Sequence, residues 1–376
     1  MSSLAPAAQP APARLVSLDA LRGFDMMWIM GADALGNAFA HLNGGPLARL
    51  AATQLDHVAW AGIRFYDTIF PLFVFMVGVA IPFSLDKIVA SHGRGEALRR
   101  IGRRTVLLYL LGLFYYGGFA AAIDQLRLLG VLQRIALCYC GASLLYLWLR
   151  PRGLVAAVFA ILVGYWLLLR FVPVPGFGAG DFREGHNLTN WIDAHYLPLR
   201  KWDGDHDPEG ILSTFPAVTT CVLGVLAGIW IRRTDRRQAD KALYLAAAGV
   251  ALMVLGFAWG TQFPIIKKVW SSSFVLVAGG WSMVLLSGFY TVADIWGRTR
   301  YLQPFVWLGS NALTVYIASN IIDFGALSAR FAGGDIAAAL NRAWAGLGEL
   351  VPALVSIALC MLLAGFLYRR RIFLRF

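Results

Sequence analysis

The chain has 376 residues, of which 59% are hydrophobic and 14% are charged. Soluble globular domains average about half apolar and about a quarter charged residues, so this composition excludes an ordinary soluble protein and indicates a membrane protein. Lysine and arginine outnumber aspartate and glutamate by 33 to 21. Such an excess of positive charge can bind nucleic acid, anionic lipid or a phosphorylated ligand. The positions of the charges decide among these partners.

Long apolar segments recur along the whole chain, and residues 1–14 before them form an Ala- and Pro-rich stretch that we expect to be a flexible tail. We predict one all-α polytopic membrane domain over residues 15–376 with about ten transmembrane helices, since each segment can cross a hydrocarbon core of about 30 Å. The predicted spans are 21–41, 63–85, 104–122, 128–149, 153–172, 211–231, 243–260, 270–292, 302–323 and 350–368. Residues 324–349 could add a half-span.

Basic residues cluster between alternate predicted spans. They lie at the start of the first span, from Lys87 to Arg104, at Arg150 and Arg152, from Arg232 to Lys241 and from Arg369 onward. By the positive-inside rule this side is cytoplasmic, which places both termini in the cytoplasm. The charge excess is then explained by topology, and we predict the lipid bilayer, but no nucleic acid, as a partner. Small residues such as Gly141 and Ala142 would permit a homo-oligomer.

Residues 173–210 form the one long connection, on the predicted outer side. It contains seven acidic residues and three histidines together with Trp191, Tyr196 and Trp202, so it is too aromatic for a disordered linker. We predict an ordered extracytoplasmic cap. Its acidic run starting at Asp203 resembles a calcium loop, but Pro208 replaces the required glycine, and the histidines lack the close spacing of zinc ligands. We therefore expect no metal.

Ionisable side chains inside spans are costly unless they pair or face a cavity, so each is a functional candidate. They are Asp25, Asp33, Arg64, Asp67, Arg134 and Asp323. Asp19 and Arg22 are three residues apart and can pair on one helix face. His57 precedes the second span, and Asp67 lies beside Pro71, which we expect to kink that helix and make room for a polar pocket. His57 would then be a base oriented by an acid, although a plain surface histidine fits the sequence equally well.

Seven motifs together resemble the heparan-alpha-glucosaminide N-acetyltransferase family of transmembrane acyltransferases. In chain order they are Leu18-Asp-Ala-Leu-Arg-Gly-Phe24, His57 with Trp60, Asp67-Thr-Ile-Phe-Pro-Leu-Phe-Val-Phe-Met-Val-Gly78, Gly130-Val-Leu-Gln-Arg-Ile135, Asp207-Pro-Glu-Gly-Ile-Leu212, Pro264-Ile-Ile-Lys-Lys-Val-Trp-Ser271 and Gly309-Ser-Asn-Ala-Leu-Thr-Val-Tyr316. Each motif alone is weak, but the resemblance covers residues 15–325. It implies a compact, bacterial-type inner-membrane member without the lysosomal enzyme's N-terminal luminal domain.

The resemblance implies transfer of acetyl from cytoplasmic acetyl-CoA to a glucosamine-type amine on the far side of the membrane. His57 matches the family's essential histidine and Asp67 its aspartate. The position of a family asparagine holds Asp33, so either the role differs here or Asn37 takes it, and an acidic position near Tyr316 holds Asn320. We assign to the catalytic set His57, Asp67 and Asp33, to acetyl-CoA Arg134, Gln133, Arg103 and Arg104, and to the acceptor Lys267, Lys268, Trp270, Asp207, Glu209 and Asn311.

Three alternatives remain open at the level of the sequence. For the basic residues Arg103 and Arg104, a topology signal beside anionic headgroups is favoured over direct contact with the phosphates of coenzyme A. Acetyl could pass directly to the acceptor or through an acetylated His57, and we favour direct transfer because one site then suffices. A sugar permease without acyl transfer, or O-acetylation of a cell-envelope glycan, would use similar membrane-embedded charges.

Overall fold

The computed structural model describes residues 15–118, 120 and 122–373, so the predicted tail 1–14 lies outside the described residues. Within these residues the chain is helical and has no β-strand. The helices are α1 (Val16–His41), α2 (Gly45–Gln54), α3 (Ile69–Tyr115), α4 (Val131–Trp148), α5 (Pro151–Phe171), α6 (Leu188–Tyr196), α7 (Thr214–Ile231), α8 (Gln238–Trp259), α9 (Ser272–Tyr290), α10 (Thr299–Ser310), α11 (Ala312–Ile321), α12 (Phe324–Ala332), α13 (Gly334–Ala343) and α14 (Leu347–Arg369).

Helix α3 contains two of the predicted spans. A straight helix of its 47 residues would be about 70 Å long, yet Tyr66, just before it, and Tyr116, just after it, line one cavity. The chain reverses at Gly93, whose φ of 78° and ψ of 177° break the helix. A left-handed φ favours glycine, and this residue therefore makes a hairpin of two antiparallel halves.

Most of the predicted spans overlap one helix or one half of α3, whereas the span predicted at 302–323 overlaps two helices, α10 and α11. Seven of the described helical segments are long and apolar enough to cross a membrane, and an eighth follows if α11 and α12, which are bent by 72°, count as one. Helix α1 is not among these segments, and Asn311 interrupts the span predicted at 302–323 between α10 and α11. The total of ten spans stays a prediction.

Glycines let the central helices approach each other closely. Gly78 of α3 and Gly224 of α7 face the partner backbone so tightly that a Cβ on Gly78 would lie 1.9 Å from the carbonyl oxygen of Cys221. Close backbone approach through small residues is characteristic of membrane helix pairs. The main core surrounds this crossing and includes residues of α1, α3, α4, α5, α7 and α9.

Two sequence-based expectations about packing are wrong. Pro71 lies in the first turn of α3, where its missing N–H is not needed, so it starts the helix and does not kink it. The small-residue stripe at Gly141 and Ala142 does not face lipid, because Ala142 is buried and Gly141 packs against Val218 of α7. This stripe therefore packs inside the bundle and offers no surface for a second copy.

Residues 173–210 fold over one end of the bundle and contain α6. Asn187 caps the start of this helix, because its side chain accepts the Asn190 N–H. We call this segment the cap and this end the cap end. The Trp60 indole donates to the Phe182 carbonyl at 2.8 Å, and the Arg200 N–H donates to the Leu126 carbonyl at 3.3 Å. Such contacts on two sides hold the cap against the loops that precede α3 and α4.

Candidate active site

Two loops at the cap end pair through their backbones and bring distant residues together. Ala61 and Ile266 form an isolated antiparallel bridge, and the Gly62 N–H donates to the Ile265 carbonyl at 2.8 Å. The first loop carries His57 and the second carries Lys267. Residues 210 positions apart in the chain thereby become neighbours.

His57 and Asp67 form the predicted histidine–carboxylate pair. The His57 Nδ1 lies 2.8 Å from Asp67 Oδ1, while the second carboxylate oxygen accepts the backbone N–H groups of Arg64 at 3.1 Å and Val58 at 3.3 Å. The Asp67 side chain is 1% exposed and that of His57 is 48% exposed. A buried carboxylate fixed in this way orients the imidazole, so that Nε2 can accept a proton from a nucleophile.

Lys267 completes a cluster of three groups. Its Nζ lies 3.0 and 3.2 Å from the two His57 ring nitrogens and 3.4 Å from Asp67 Oδ1. Burial lowers the pKa of the Lys267 ammonium, and the nearby carboxylates of Asp67 and Glu209 offset this only in part. The group therefore offers a partly desolvated hydrogen-bond donor next to the imidazole.

The loop of Lys267 is held by a strained turn. Trp270 has a φ of 51°, a left-handed value that costs a non-glycine residue about 1–3 kcal/mol. Its indole is 1% exposed and donates to Thr220 Oγ1 at 3.1 Å, and the Ser271 hydroxyl accepts the Ile266 N–H at 3.0 Å. The structure thus places Trp270, predicted to bind the acceptor, as a buried anchor beneath Lys267.

A cavity of about 320 Å³ opens beside His57, and we call it the cap-end cavity. Aromatic rings and charged groups share its lining. The aromatic residues are Trp60, Tyr66, Phe70, Tyr116, Trp202 and Tyr316, and the charged ones, besides the cluster, are Arg127, Asp203, Glu209 and Lys268. Flat apolar faces with a few convergent polar groups are typical of a ligand site.

Arg127 ties the floor of this cavity to the cap. It donates to Asp207 through Nε at 2.8 Å and through Nη2 at 2.6 Å, and it donates to Glu209 at 2.5 Å. Its guanidinium lies over the rings of Tyr116 and Trp202 at 4.7 and 4.8 Å. Burial raises the pKa of Glu209, and the adjacent Arg127 only partly offsets this effect. Of the two predicted acceptor residues here, Glu209 lines the cavity and Asp207 supports it.

Asp33 reaches the site through another side chain. It is exposed on α1 and lies against Tyr66 and near Lys267. The Tyr66 ring stacks on the His57 imidazole with centroids 4.4 Å apart and planes within 3°. Asn37 is exposed one turn later on α1, and Asn320 is exposed near the end of α11. Asp33 is thus placed to position Tyr66.

A second cavity, of about 590 Å³, lies at the opposite end of the bundle and shares helices α3, α4 and α11 with the first. We call it the basic-end cavity. Its polar lining residues include Asp19, Arg22, Ser84, Lys87, Arg104, Ser310 and Asn311. Asp19 and Arg22 form the expected ion pair at 3.7 Å. Among the described residues, neither amide atom of Asn311 nor Nε of Arg104 has a hydrogen-bond partner, which marks a place for a polar ligand.

The four residues assigned to acetyl-CoA are spread over different environments. Arg104 lines the basic-end cavity and Arg103 is exposed beside it. Arg134 is buried beneath the cap, where it donates to Ser213 Oγ at 2.5 Å and to the Gly210 carbonyl at 3.2 Å and lies over the Trp270 ring. Gln133 is also buried and donates to the Arg127 carbonyl at 3.3 Å. Neither Arg134 nor Gln133 lines either cavity.

Asn311 was assigned to the acceptor, but the structure places it on the basic-end cavity. Sequence reasoning also missed Arg127, Tyr66 and Tyr116. Arg127 carried a usable signal. It is a cation just before a predicted span, on the same side as a loop with seven acidic residues, and this suggests an ion pair between Arg127 and that loop. The aromatic residues carried none, since tyrosines at span ends are ordinary interfacial anchors.

The two lining sets show how closely the cavities approach each other. Phe70 and Phe73 are three residues apart on α3, Val131 and Leu132 are adjacent on α4, and each pair has one member on each cavity. About one helical turn, or about 5 Å, therefore separates the cavities along these helices.

Comparison with known proteins shows what the chain is similar to. A family model described as a domain of unknown function, DUF5009, matches residues 14–183. Human heparan-alpha-glucosaminide N-acetyltransferase is 26% identical over 420 residues, which cover 96% of this chain and 60% of the human protein. The mouse protein of the same name is 26% identical over 82% of this chain and 54% of its own length. The chain is a distant relative of these N-acetyltransferases. The predicted resemblance is confirmed, and the chain spans little more than half the length of the N-acetyltransferases that it matches.

Proposed function

We propose that this protein is a transmembrane acetyltransferase that carries acetyl from acetyl-CoA, bound at the basic end, to an amino sugar of the glucosamine type at the cap end. The observation that carries the proposal is the cluster of His57, Asp67 and Lys267 in a cavity that is separated by about one helical turn from a second, basic cavity. Two cavities that nearly meet allow a donor and an acceptor to react without either one crossing the membrane.

The cap-end cavity suits an amino sugar. Trp202 and Tyr116 offer ring faces of the kind that stack on sugars, and Glu209 offers a carboxylate to the cationic form of the amine. Tyr66 and Trp60 narrow the approach to His57. Lys268 lies at the rim, where it pairs with Glu184 at 2.8 Å and with Asp203 at 3.0 Å.

The basic-end cavity suits coenzyme A. Lys87 and Arg104 supply cations for its phosphates, and the unpaired amide of Asn311 supplies a donor and an acceptor for the amides of the pantetheine arm. The arm is long and thin, so it can extend toward the cap-end cavity while the phosphates stay outside the membrane. We infer that the basic end is cytoplasmic, in keeping with the distribution of lysine and arginine.

The chemistry follows from the cluster. The amine nitrogen attacks the thioester carbonyl carbon while His57 Nε2 takes the proton that the nitrogen loses, and Asp67 stabilises the imidazolium that forms. The ammonium of Lys267 donates to the oxyanion that develops on the carbonyl oxygen. Collapse of the tetrahedral intermediate breaks the C–S bond, and the coenzyme A thiolate leaves and takes up a proton.

Release of free thiol tests the proposal. Purified protein with acetyl-CoA and glucosamine should liberate coenzyme A, and His57→Ala should abolish the release. His195→Ala is the matched control, because His195 is a cap histidine whose Nδ1 bonds only to the Trp191 carbonyl of its own helix, at 2.8 Å. Loss of thiol release in both variants, or in neither, would contradict the role of His57.

Two measurements separate the remaining alternatives. A permease would take N-acetylglucosamine into proteoliposomes without releasing any thiol, whereas O-acetylation of a glycan would release thiol with a hydroxyl acceptor and not with glucosamine. Direct transfer predicts no stable radiolabelled acetyl-enzyme when the sugar is withheld. If wild type is labelled under these conditions and His57→Ala is not, acetyl passes through His57 and the transfer has two steps.

A further inference from the structure

A second cluster of ionisable groups lies in the cap, apart from His57. Glu184, Asp203 and His206 each direct one potential ligand atom to a common point, and these atoms all lie within 4.8 Å of one another. His206 Nε2 is 3.5 Å from Glu184 Oε1 and 3.7 Å from Asp203 Oδ2. Adjacent ligands of a tetrahedral zinc ion are roughly 3.4 Å apart, given zinc–ligand distances of about 2.1 Å. The two distances from His206 Nε2 are therefore close to those between adjacent ligands of such a site.

The imidazole of His206 is oriented as a ligand. The residue is 4% exposed, and its Nδ1 lies 2.6 Å from Asp205 Oδ1, an arrangement that fixes the proton on Nδ1 and leaves the lone pair on Nε2. Across the described part of the chain, Nε2 has no hydrogen-bond partner. Histidines that bind metals characteristically donate their other ring N–H to a carboxylate in this way.

A cation already occupies the neighbourhood of these oxygens. Lys268 Nζ lies 2.8 Å from Glu184 Oε1 and 3.0 Å from Asp203 Oδ2, the same two oxygens that face His206. The site therefore attracts positive charge. An ammonium and a divalent ion would repel each other at this separation, so binding of the ion requires Lys268 to move away.

We propose that Glu184, Asp203 and His206 bind a divalent transition-metal ion of the zinc class, with Asp205 orienting the histidine and Lys268 competing for the same carboxylates. A nitrogen ligand beside two carboxylates favours zinc over calcium or magnesium, which prefer oxygen ligands alone. The site joins two parts of the cap on either side of α6. It stands independently of the proposed acetyl transfer.

Lys268 links this site to the cap-end cavity, since Lys268 and Asp203 both line that cavity. When the metal binds, the ammonium loses both of its carboxylate partners and becomes available to a ligand in the cavity. The metal would therefore act on the occupancy of the cavity through Lys268 and not through His57.

Titration of tag-free, chelator-treated full-length protein with zinc against a fluorescent zinc indicator tests the proposal. Wild type should bind one ion, His206→Ala should lose it, and Asp205→Asn should bind about 10- to 100-fold more weakly. Lys268→Met should bind about tenfold more tightly because its competing charge is gone. Calcium in excess should not displace the zinc.

Matched controls use the other cap ion pair. His186 Nδ1 lies 3.2 Å from Asp181 Oδ2, outside the cluster, so His186→Ala should bind zinc as wild type does. Zinc binding that survives His206→Ala, or no saturable binding by wild type, would overturn the proposal and leave His206 as a member of an ion-pair network with the carboxylates. If His206→Ala fails to fold, an unchanged affinity in both Asp205→Asn and Lys268→Met has the same consequence.

Discussion

At the scale of single residues, Asp67 determines what His57 can do. Both carboxylate oxygens are used inside the protein, one on His57 and the other on two backbone N–H groups, and solvent reaches only 1% of the side chain. The imidazole is half exposed, and besides Asp67 it contacts the Tyr66 ring and Lys267. The sequence predicted this pair from a ten-residue spacing and a family motif, whereas the third member, Lys267, was predicted only to lie near the acceptor.

Asp67→Asn should remove the charge and leave one acceptor oxygen in place of two. The amide oxygen can still accept from the His57 ring, but nothing then stabilises the imidazolium that forms when His57 takes a proton. We expect the rate of thiol release to fall by about 10²- to 10⁴-fold, the usual contribution of a positioned acid or base. We also expect a lower thermal midpoint, because the amide NH2 would face the backbone N–H groups of Arg64 and Val58 and leave them without an acceptor. A loss smaller than threefold would mean that Asp67 serves the fold and not proton transfer.

At the scale of elements, one buried cation holds the cap on the bundle. Arg127 precedes α4 and pairs with two acidic residues of the cap, Asp207 and Glu209. Behind them, Asp193 of α6 accepts the N–H groups of Ile211 at 2.9 Å and of Asp207 at 3.5 Å. Burial raises the pKa of Asp193 to about 6, although these two backbone donors oppose the shift. Buried ionisable groups of this kind require their partners, so the cap and the start of α4 form one unit.

Arg127→Ala should therefore destabilise the cap. Removing one partner of a buried ion pair costs about 3–5 kcal/mol, because the other charge remains buried. We expect a lower thermal midpoint and faster proteolysis within residues 173–210. Arg183→Ala is the control, since Arg183 pairs with Asp181 in the same cap but its side chain is 76% exposed, and exposed pairs contribute little. Equal effects of the two substitutions would contradict this account.

At the scale of the whole molecule, the crossing of α3 and α7 holds the bundle together beneath both cavities. Gly78 and Gly224 allow the two backbones to touch, and residues of α3 on either side of Gly78 line the two cavities. Phe70 and Phe73 precede it, while Phe83 and Lys87 follow it. A change in this crossing would therefore alter the part of α3 that lies between the two cavities.

Gly78→Leu should prevent the crossing. A Cβ at this position would lie 1.9 Å from the Cys221 carbonyl oxygen, and the helices must separate to admit it, at a cost of about 1–3 kcal/mol or more. We expect loss of the monodisperse peak in size-exclusion chromatography. Gly164→Leu on α5 is the matched control, because no atom lies within 4 Å of its added Cβ, and it should behave as wild type.

The predicted orientation is testable by labelling. In a variant without the four native cysteines, a membrane-impermeant maleimide should label Tyr196→Cys on α6 in intact cells and should not label Ser91→Cys near the Gly93 reversal until the membrane is opened. Both positions are exposed to solvent or headgroups. The reverse pattern would place the cap in the cytoplasm, and the assignment of acetyl-CoA to the basic end would then fail.

The sequence by itself determined the helices and predicted the pairing of His57 with Asp67. Apolar segments of about 20 residues specify helices wherever they occur, because backbone groups in lipid must bond within their own segment. His57 and Asp67 were readable because they are ten residues apart and belong to the motifs on which the predicted resemblance rests. The hairpin at Gly93 was implied as well, by the basic residues between two apolar spans.

Only the tertiary structure decided which polar residues share a site. Lys267 reaches His57 because two loops 200 residues apart pair their backbones, and Asn311 faces the basic-end cavity because the chain breaks between α10 and α11. The cluster of Glu184, Asp203 and His206 joins one histidine and two carboxylates from separate parts of the cap, and the spacing of the histidines along the sequence held no information about this contact. Contacts of this kind depend on how loops close over packed helices, and no local pattern in the sequence encodes that closure.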